Sequence, residues 1–139
     1  MAFKLIIFSV LFIPFLINQK NSNYNNSTST FSAIRQSNKE RIARAIVINM
    51  SNQNFEDARS DFSDSLKARM KPGMLAGPWT SMVTNAGAFV AILSAEENRV
   101  EGTAQVVVVC RFENAGAVVQ VMFNEDEKVT ALYLKPVGK

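Results

Sequence analysis

The sequence contains no histidine and a single cysteine, Cys110. Histidine-ligated metal centres and the Ser-His-Asp and Cys-His catalytic arrangements all need an imidazole, so none of them can be built within this chain. A single cysteine cannot form an internal disulfide, so a packed hydrophobic core must supply the stability. These absences exclude several common classes of catalytic site and the class of small disulfide-stabilised proteins.

A strong excess of charge of one sign is also missing. The chain has 15 basic and 12 acidic residues, a formal net charge of +3, and the two signs are interspersed along the sequence. Nucleic-acid-binding surfaces concentrate lysine and arginine on one face, so no nucleic-acid partner is predicted. The chain has 139 residues and is 47 % hydrophobic, which is enough for one domain with its own core.

The N-terminus has the pattern of an export signal. A short basic segment, Met1 to Lys4, precedes thirteen mainly apolar residues, Leu5 to Ile17. As a helix this stretch spans only about 20 Å, less than the roughly 30 Å hydrocarbon core of a membrane. We therefore predict a signal peptide over residues 1–18 and an exported protein, periplasmic or secreted, that begins between Asn18 and Ser22. The alternative is an uncleaved leader that tethers the protein to the membrane, which is the only membrane contact we expect.

A polar tract rich in asparagine and serine follows the leader over residues 19–38. It has almost no apolar side chains to bury, so it is predicted to be a flexible linker. The remaining residues, 39–139, are predicted to form a single α+β domain.

Helical periodicity dominates the first half of this domain. A first amphipathic helix has Arg41 and Arg44 outward and an apolar stripe of Ile42, Ala45, Ile46 and Met50. A second helix begins at Asn54 as N-cap, and Asp61 to Asp64 could divide it in two; its apolar stripe is Phe55, Ala58, Phe62, Leu66 and Met70.

The third predicted helix carries Trp79 and ends at Gly87, where glycine suits a left-handed residue. It is predicted to begin near Leu75, since that start leaves Pro78 in the first turn, where no backbone N–H is needed.

Beyond Gly87 the hydrophobic period falls to two. Four extended segments are predicted at residues 88–96, 102–113, 117–124 and 128–134, and their short separators favour an antiparallel meander. The predicted fold class is therefore α+β, with three helices packed on one face of a four-stranded antiparallel sheet.

Both faces of the predicted sheet are apolar. In the second strand the core-facing set is Ala104, Val106, Val108, Cys110 and Phe112. The opposite face receives Val107, Val109, Val118, Met122, Leu132 and Leu134. A sheet that is apolar on both faces needs cover on both, so we expect the linker, a second copy of the chain or a partner protein on this second face. The candidate ligand or partner contacts are Trp79, Val107, Val109 and Met122.

The pattern resembles a bacterial family of domains of unknown function. The residues that carry the resemblance, within residues 39–136, are Asn54-Phe55-Glu56-Asp57, Phe62, Leu66, Leu75-x-x-x-Trp79, Gly87-Ala88-Phe89 and the last strand from Val129 to Pro136. Such domains occur alone behind a signal peptide or ahead of an α/β-hydrolase domain. The resemblance implies a cystatin-like or ketosteroid-isomerase-like curved sheet and supplies no catalytic residues. Pro78 and Ala131 depart from the family pattern, which affects helix onset and strand packing.

The side chains that could carry chemistry have simpler structural interpretations. Cys110 lies in the core-facing register of a valine-rich strand, which indicates a buried, inert thiol rather than a nucleophile. Asp57, Asp61 and Asp64 could attract a cation, but a solvated helix face with acids in its first turn is the favoured interpretation. Trp79 is interpreted as a core anchor, with ligand stacking as the alternative. We predict no catalytic residue, no metal ligand and no cofactor.

The leading functional hypothesis is an exported, non-catalytic binding or accessory module whose curved sheet binds a partner chain or an apolar ligand. The alternative is a small-molecule enzyme, or a hydrolase-associated domain, with a carboxylate in a pocket. The strand acids Glu96, Glu101 and Glu113 lie at predicted strand ends, which argues against that alternative. A purely structural envelope protein is the third class.

Overall fold

Four helices followed by four strands form residues 35–138, the part of the chain that the computed structural model describes. The helices are α1 (Asn38–Ser51), α2 (Phe55–Ala58), α3 (Asp64–Arg69) and α4 (Pro72–Ala86). The strands are β1 (Phe89–Val100), β2 (Thr103–Phe112), β3 (Gly116–Phe123) and β4 (Val129–Val137). The predicted leader and most of the predicted linker lie outside the described residues.

Helix α1 begins with a capping box. The Ser37 hydroxyl accepts from the Glu40 N–H at 3.1 Å, and the Glu40 carboxylate accepts from the Ser37 N–H at 3.1 Å. The buried stripe consists of Ile42, Ala43, Ile46, Val47 and Met50. The predictions of a buried Ala45 and an outward Arg44 were wrong, because Ala45 is exposed and Arg44 is half-buried. Seven of the nine residues from Ile42 to Met50 are apolar, so periodicity alone could not select the buried stripe.

The second predicted helix is divided in two at Phe62. This residue forms a parallel bridge with Val129, whose N–H donates to the Asp61 carbonyl at 2.9 Å. Ser63 then caps α3 by accepting from the Leu66 N–H at 3.2 Å, so the three predicted helices are four. Asn54 occupies the N-cap position of α2 as predicted, although its side chain forms no capping hydrogen bond.

Helix α4 begins at Pro72 rather than near Leu75, which places Pro78 inside the helix. Pro72 occupies the first turn, where its missing N–H has no consequence, and Pro78 lies on the exposed side of the helix, where water can satisfy the carbonyl left without a donor. The helix ends as predicted at Gly87, with φ 83° and ψ −173°. A Cβ atom there would lie 2.7 Å from the Glu113 Cβ, so only glycine fits this position.

The sheet is an antiparallel meander in the order β1-β2-β3-β4, as predicted. Its first turn consists of Glu101 and Gly102, with φ values of 52° and 79°, which is the two-residue type I′ geometry of tight hairpins. Strand β1 therefore runs to Val100, and the predicted end of the first extended segment at Glu96 was wrong. The charged side chains there are tolerated because β1 is an edge strand.

The helices lie on one face of the sheet: α1, α3 and α4 contact the strands, and α2 packs against α1 and α4. The core-facing residues predicted for β2 are buried on that face, together with Ala117, Val119, Val121 and Phe123 of β3. Leu132 and Leu134 pair with Val121 and Val119, so they also lie on the helix face, and their assignment to the opposite face was wrong. A register irregularity between β3 and β4 beside Met122 could not be read from the sequence. Within residues 35–138, no helix has the length and apolarity needed to cross a membrane.

Candidate functional site

The face of the sheet that points away from the helices, here called the open face, is apolar in its middle. Val107, Val109, Val118 and Met122 lie on it and are half-buried by their neighbours, although no described helix covers them. The directly paired rows across the sheet are Asn98, Gln105, Met122 and Ala131; Glu96, Val107, Gln120 and Tyr133; and Ser94, Val109, Val118 and Lys135. The prediction of a second apolar sheet face is thus correct for four of its six residues.

Exposed hydrophobic side chains concentrate on the sheet. Among residues 35–138, seven large hydrophobic residues are exposed, and the five on strands are Val90, Leu93, Val100, Tyr133 and Val137. Val90 and Leu93 are the extra residues of two irregularities in the pairing of β1 with β2. Such bulges bend a strand and displace side chains from the regular alternation, and sequence patterns do not reveal them.

Charges on the open face lie toward its margins. Glu96 is on edge strand β1, Lys135 is on edge strand β4 and Arg111 is near the end of middle strand β2, while Gln105 and Gln120 are neutral amides of the two middle strands. An apolar and neutral centre with charges at the rim is the usual composition of protein–protein interfaces.

Trp79 lies between α4 and the sheet with 4 % of its surface exposed. Its ring centroid is 5.7 Å from that of Phe89 and 5.4 Å from that of Phe112. These tilted contacts are favourable for aromatic pairs. The position is that of a core side chain, and only its edge reaches solvent.

That edge of Trp79 borders a groove of about 500 Å³. The lining residues are Ser51, Asn52, Gln53, Phe55, Trp79, Thr80, Val83, Ala88 and Phe89. Sequence reasoning missed this groove, because its residues come from four separate elements. The only local signal is that the turn after α1 carries three amide side chains in succession, of which Asn52 and Gln53 line the groove.

A second groove, of about 560 Å³, lies where the start of α1 passes over one end of the sheet. The Lys39 ammonium there is 3.3 Å from Glu97 and 3.4 Å from Glu127. A hydrogen bond from the Ser37 side chain, aided by Lys39, lowers the pKa of Glu97 against the opposing effect of desolvation. The Lys39 charge is thus already used to join helix and sheet.

The thiol of Cys110 is fully buried on the helix face of β2. Burial raises its pKa to about 11, so the thiolate is scarce at neutral pH and the group is a poor nucleophile. This agrees with its interpretation as a structural residue.

The acidic residues do not assemble into a site. Glu96, Glu101 and Glu113 are all exposed, and none of them lines either groove. Asp57 lies in α2 and Asp64 in α3, so the break between the helices separates acids that the sequence placed on one helix face. Within the described residues, no group of three His, Cys, Asp or Glu side chains is arranged to hold a metal ion.

Comparison with protein families identifies the domain. The sequence model described as "Protein of unknown function (DUF3887)" matches residues 43–132, which include most of α1, the other three helices and most of the sheet. The chain belongs to the DUF3887 family. The resemblance seen in the sequence to a domain of unknown function is therefore confirmed. Comparison with curated proteins and with solved structures gives no match. Membership in DUF3887 assigns no activity, so function must be argued from the surfaces described above.

Proposed function

We propose that this protein is an exported, non-catalytic binding module that acts as a homodimer, with the open face of the sheet as the dimer interface. The observation that carries the proposal is the apolar open face, whose half-buried centre is formed by Val107, Val109, Val118 and Met122. A second copy is the occupant that best fits the arrangement of these residues.

The arrangement of residues in the paired rows of the open face is self-complementary. A two-fold axis parallel to the strands, between β2 and β3, places β2 over β3 of the partner subunit and β1 over its β4. Val109 then lies over Val118 of the partner subunit, and Gln105 lies over Met122 of the partner subunit. Apolar side chains therefore meet in the two middle strands, as in aligned sheet packing.

Glu96 and Lys135 favour this arrangement over the other symmetric one, although it also brings the two Arg111 side chains of the middle strands near each other across the axis. With the axis parallel to the strands, Glu96 on β1 lies one row from Lys135 of the partner subunit, and symmetry repeats the pair. An axis perpendicular to the strands through the centre of the face would instead place two Glu96 side chains opposite each other. Like charges in contact are unfavourable, so the parallel axis is preferred.

The size of the open face is sufficient for a small dimer. With strands about 4.8 Å apart and alternate positions about 6.8 Å apart, each open-face position covers about 33 Å². The roughly 18 positions of the whole open face therefore cover roughly 600 Å². Two such faces together bury about 1,200 Å², the lower end of the range for specific interfaces.

The proposal includes a fold of the cystatin-like or ketosteroid-isomerase-like type for this domain. Its support is the order of helices before strands, the placement of all described helices on one face, and the two bulges that bend β1. The absence of a carboxylate from the lining of the groove beside Trp79 favours a binding role over acid–base chemistry in that groove.

The molar mass of the full chain in solution, measured by light scattering, tests the dimer. We expect the mass of two copies for the wild type, one copy for Val109→Glu, and two copies for Met74→Glu. Met74 is 58 % exposed on α4, away from the open face, so it is a matched control for adding a charge to an exposed apolar position. A monomeric wild type, or a dimeric Val109→Glu variant, would contradict the proposal.

Charge reversal tests the orientation. Glu96→Lys and Lys135→Glu should each weaken the dimer, and the double variant should recover it, since the pair is restored with opposite polarity. Independent weakening by both changes without recovery would reject the proposed axis.

Export is tested by the intact mass of the native protein after cell fractionation. A chain outside the cytoplasmic membrane that begins between Asn18 and Ser22 supports the proposal. A chain that retains residues 1–17 in the membrane fraction supports the tethered alternative.

A further inference from the structure

We propose that the groove beside Trp79 binds an uncharged ring that carries hydroxyl groups, the chemistry of a neutral saccharide unit. The groove lies where the end of α1, the start of α2, the middle of α4 and the start of β1 meet. Its volume of about 500 Å³ lies within the range of small-molecule sites. It is separate from the dimer interface, so either proposal can fail without the other.

Aromatic side chains form the apolar wall of the groove. Phe55 and Phe89 are half-buried there, and the edge of Trp79 lies between the helices and the sheet behind them. Phe89 is fixed by Phe112, with ring centroids 5.7 Å apart, and by Trp79 at the same separation. A wall held in place by its own packing loses little conformational entropy when a flat ligand face binds to it.

Neutral hydrogen-bonding groups form the rim. Within residues 35–138, the side-chain amides of Asn52 and Gln53 form no hydrogen bond, and both residues are exposed. Each amide offers two donors and one acceptor. The Ser51 hydroxyl already donates to the Ile48 carbonyl at 2.7 Å, but its lone pairs can still accept.

The lack of charge narrows the ligand class. None of the residues lining the groove is acidic or basic. A phosphate or carboxylate ligand would lose hydration without gaining a counter-charge, and a purely apolar ligand would leave the rim groups without partners. A neutral ring with one apolar face and hydroxyl groups at its edge satisfies both the wall and the rim.

The backbone of Gln53 supports a role for its side chain. Its φ is 62°, and it ends α1 by donating its N–H to the Met50 carbonyl at 3.0 Å, while the Asn54 N–H donates to the Asn49 carbonyl at 2.8 Å. Glycine is the usual residue at this position of a helix end. A glutamine in an unfavourable backbone conformation at the rim of a groove is consistent with use of its side chain in binding.

Fluorescence of Trp79, the only tryptophan of the chain, provides the test. The full chain is titrated with four neutral disaccharides (cellobiose, maltose, lactose and chitobiose), with glucose 6-phosphate and with indole. We expect saturable binding of at least one disaccharide, with glucose 6-phosphate at least about tenfold weaker. Asn52→Ala and Gln53→Gly should each weaken disaccharide binding by about five- to tenfold through loss of hydrogen bonds.

The controls separate binding from folding. Gln53→Gly should unfold at a higher denaturant concentration than the wild type while it binds less well, a combination that a purely structural role cannot produce. Met74→Ala, on the same helix as Trp79 but outside the groove, should leave binding unchanged. No binding of any disaccharide up to tens of millimolar, tighter binding of glucose 6-phosphate or indole, or insensitivity to both rim variants would each overturn the inference.

Discussion

At the scale of single residues, burial determines what the reactive and aromatic side chains can do. Cys110 is the only thiol in the chain and Trp79 the only indole, and both are enclosed between the helices and the sheet. Because the thiol and the indole are buried, both contribute to core packing rather than to chemistry at the surface. Two predictions follow from that placement.

Cys110 should make stability fall at alkaline pH. Its pKa is raised from 9.0 to about 11 in the folded protein, so its contribution is complete below pH 9 and is lost as the pH rises toward 11. Between these values the free energy of unfolding of Cys110→Ala should decrease less than that of the wild type, by up to about 2–3 kcal/mol. Denaturant unfolding across this pH range measures the difference. If the free energy of unfolding depends on pH equally in the two proteins, or if the folded thiol is labelled rapidly at neutral pH, Cys110 is not buried as described.

Trp79→Ala should remove a large share of the stability. Truncating a buried aromatic residue costs about 3–5 kcal/mol, which lowers the melting temperature of a domain of this size by more than about ten degrees. Leu75→Ala, one turn earlier in α4, should cost less because a smaller side chain is lost. Thr80→Ala, at an exposed neighbouring position, is the control and should melt close to the wild type. A variant at Trp79 that melts within a few degrees of the wild type would mean that the ring is not part of the core.

At the scale of secondary-structure elements, the short helices depend on side chains that hydrogen-bond to the free backbone groups at their ends. Arg59 follows α2 and is 8 % exposed. Its guanidinium donates to the Met70 carbonyl at 2.8 Å and to the Lys67 carbonyl at 3.0 Å, both at the end of α3. A single buried arginine thus joins two helices that are too short to be stable alone.

Arg59→Ala should destabilise the domain by about 2–4 kcal/mol, because it leaves two carbonyls at the end of α3 without their donor. Glu56→Gln is the control: the Glu56 carboxylate accepts from Arg59 at 2.8 Å, but its side chain is 76 % exposed, so the pair should contribute less than about 1 kcal/mol. Urea unfolding of both variants measures the two effects. Similar losses in both would show that the ion pair, rather than the carbonyl contacts, holds the helices.

At the scale of the whole domain, the start of α1 is tied to both edges of the sheet. Lys39 pairs with Glu97 on β1 and with Glu127 in the turn before β4, and the Asn38 amide donates to Glu127 at 2.6 Å. The Glu40 carboxylate also accepts from the Glu97 N–H at 3.2 Å. These contacts hold the helix layer over one end of the sheet.

Glu97 should contribute stability that depends on pH on the acid side. Its pKa is lowered in the folded state, so the contribution is present above the unfolded value of about 4.5 and is lost as the pH falls through the lowered pKa. Glu97→Gln should therefore show a smaller decrease in the free energy of unfolding between neutral and acidic pH than the wild type. Denaturant unfolding at a series of pH values measures this difference. If the stability of Glu97→Gln depends on pH as that of the wild type does, the hydrogen bond from Ser37 and the contacts of Lys39 with Glu97 add nothing to stability.

The sequence by itself determined the fold class, the meander and the core register of β2, because hydrophobic periodicity and short connections depend on neighbouring residues only. It also indicated the buried thiol and the end of α4 at Gly87, which needs a positive φ. The match to the DUF3887 family is likewise a property of the sequence alone.

Only the tertiary structure decided the features that combine distant segments. The bridge from Phe62 to Val129 divided one predicted helix, and the pairing of β4 moved Leu132 and Leu134 to the helix face. The bulges of β1 and the groove beside Trp79 arise in the same way, from the meeting of elements that are far apart in the chain. Periodicity reports which residues of one segment share a face, but register and cavity shape depend on the partner segment, so the open face was partly predicted and the groove was not.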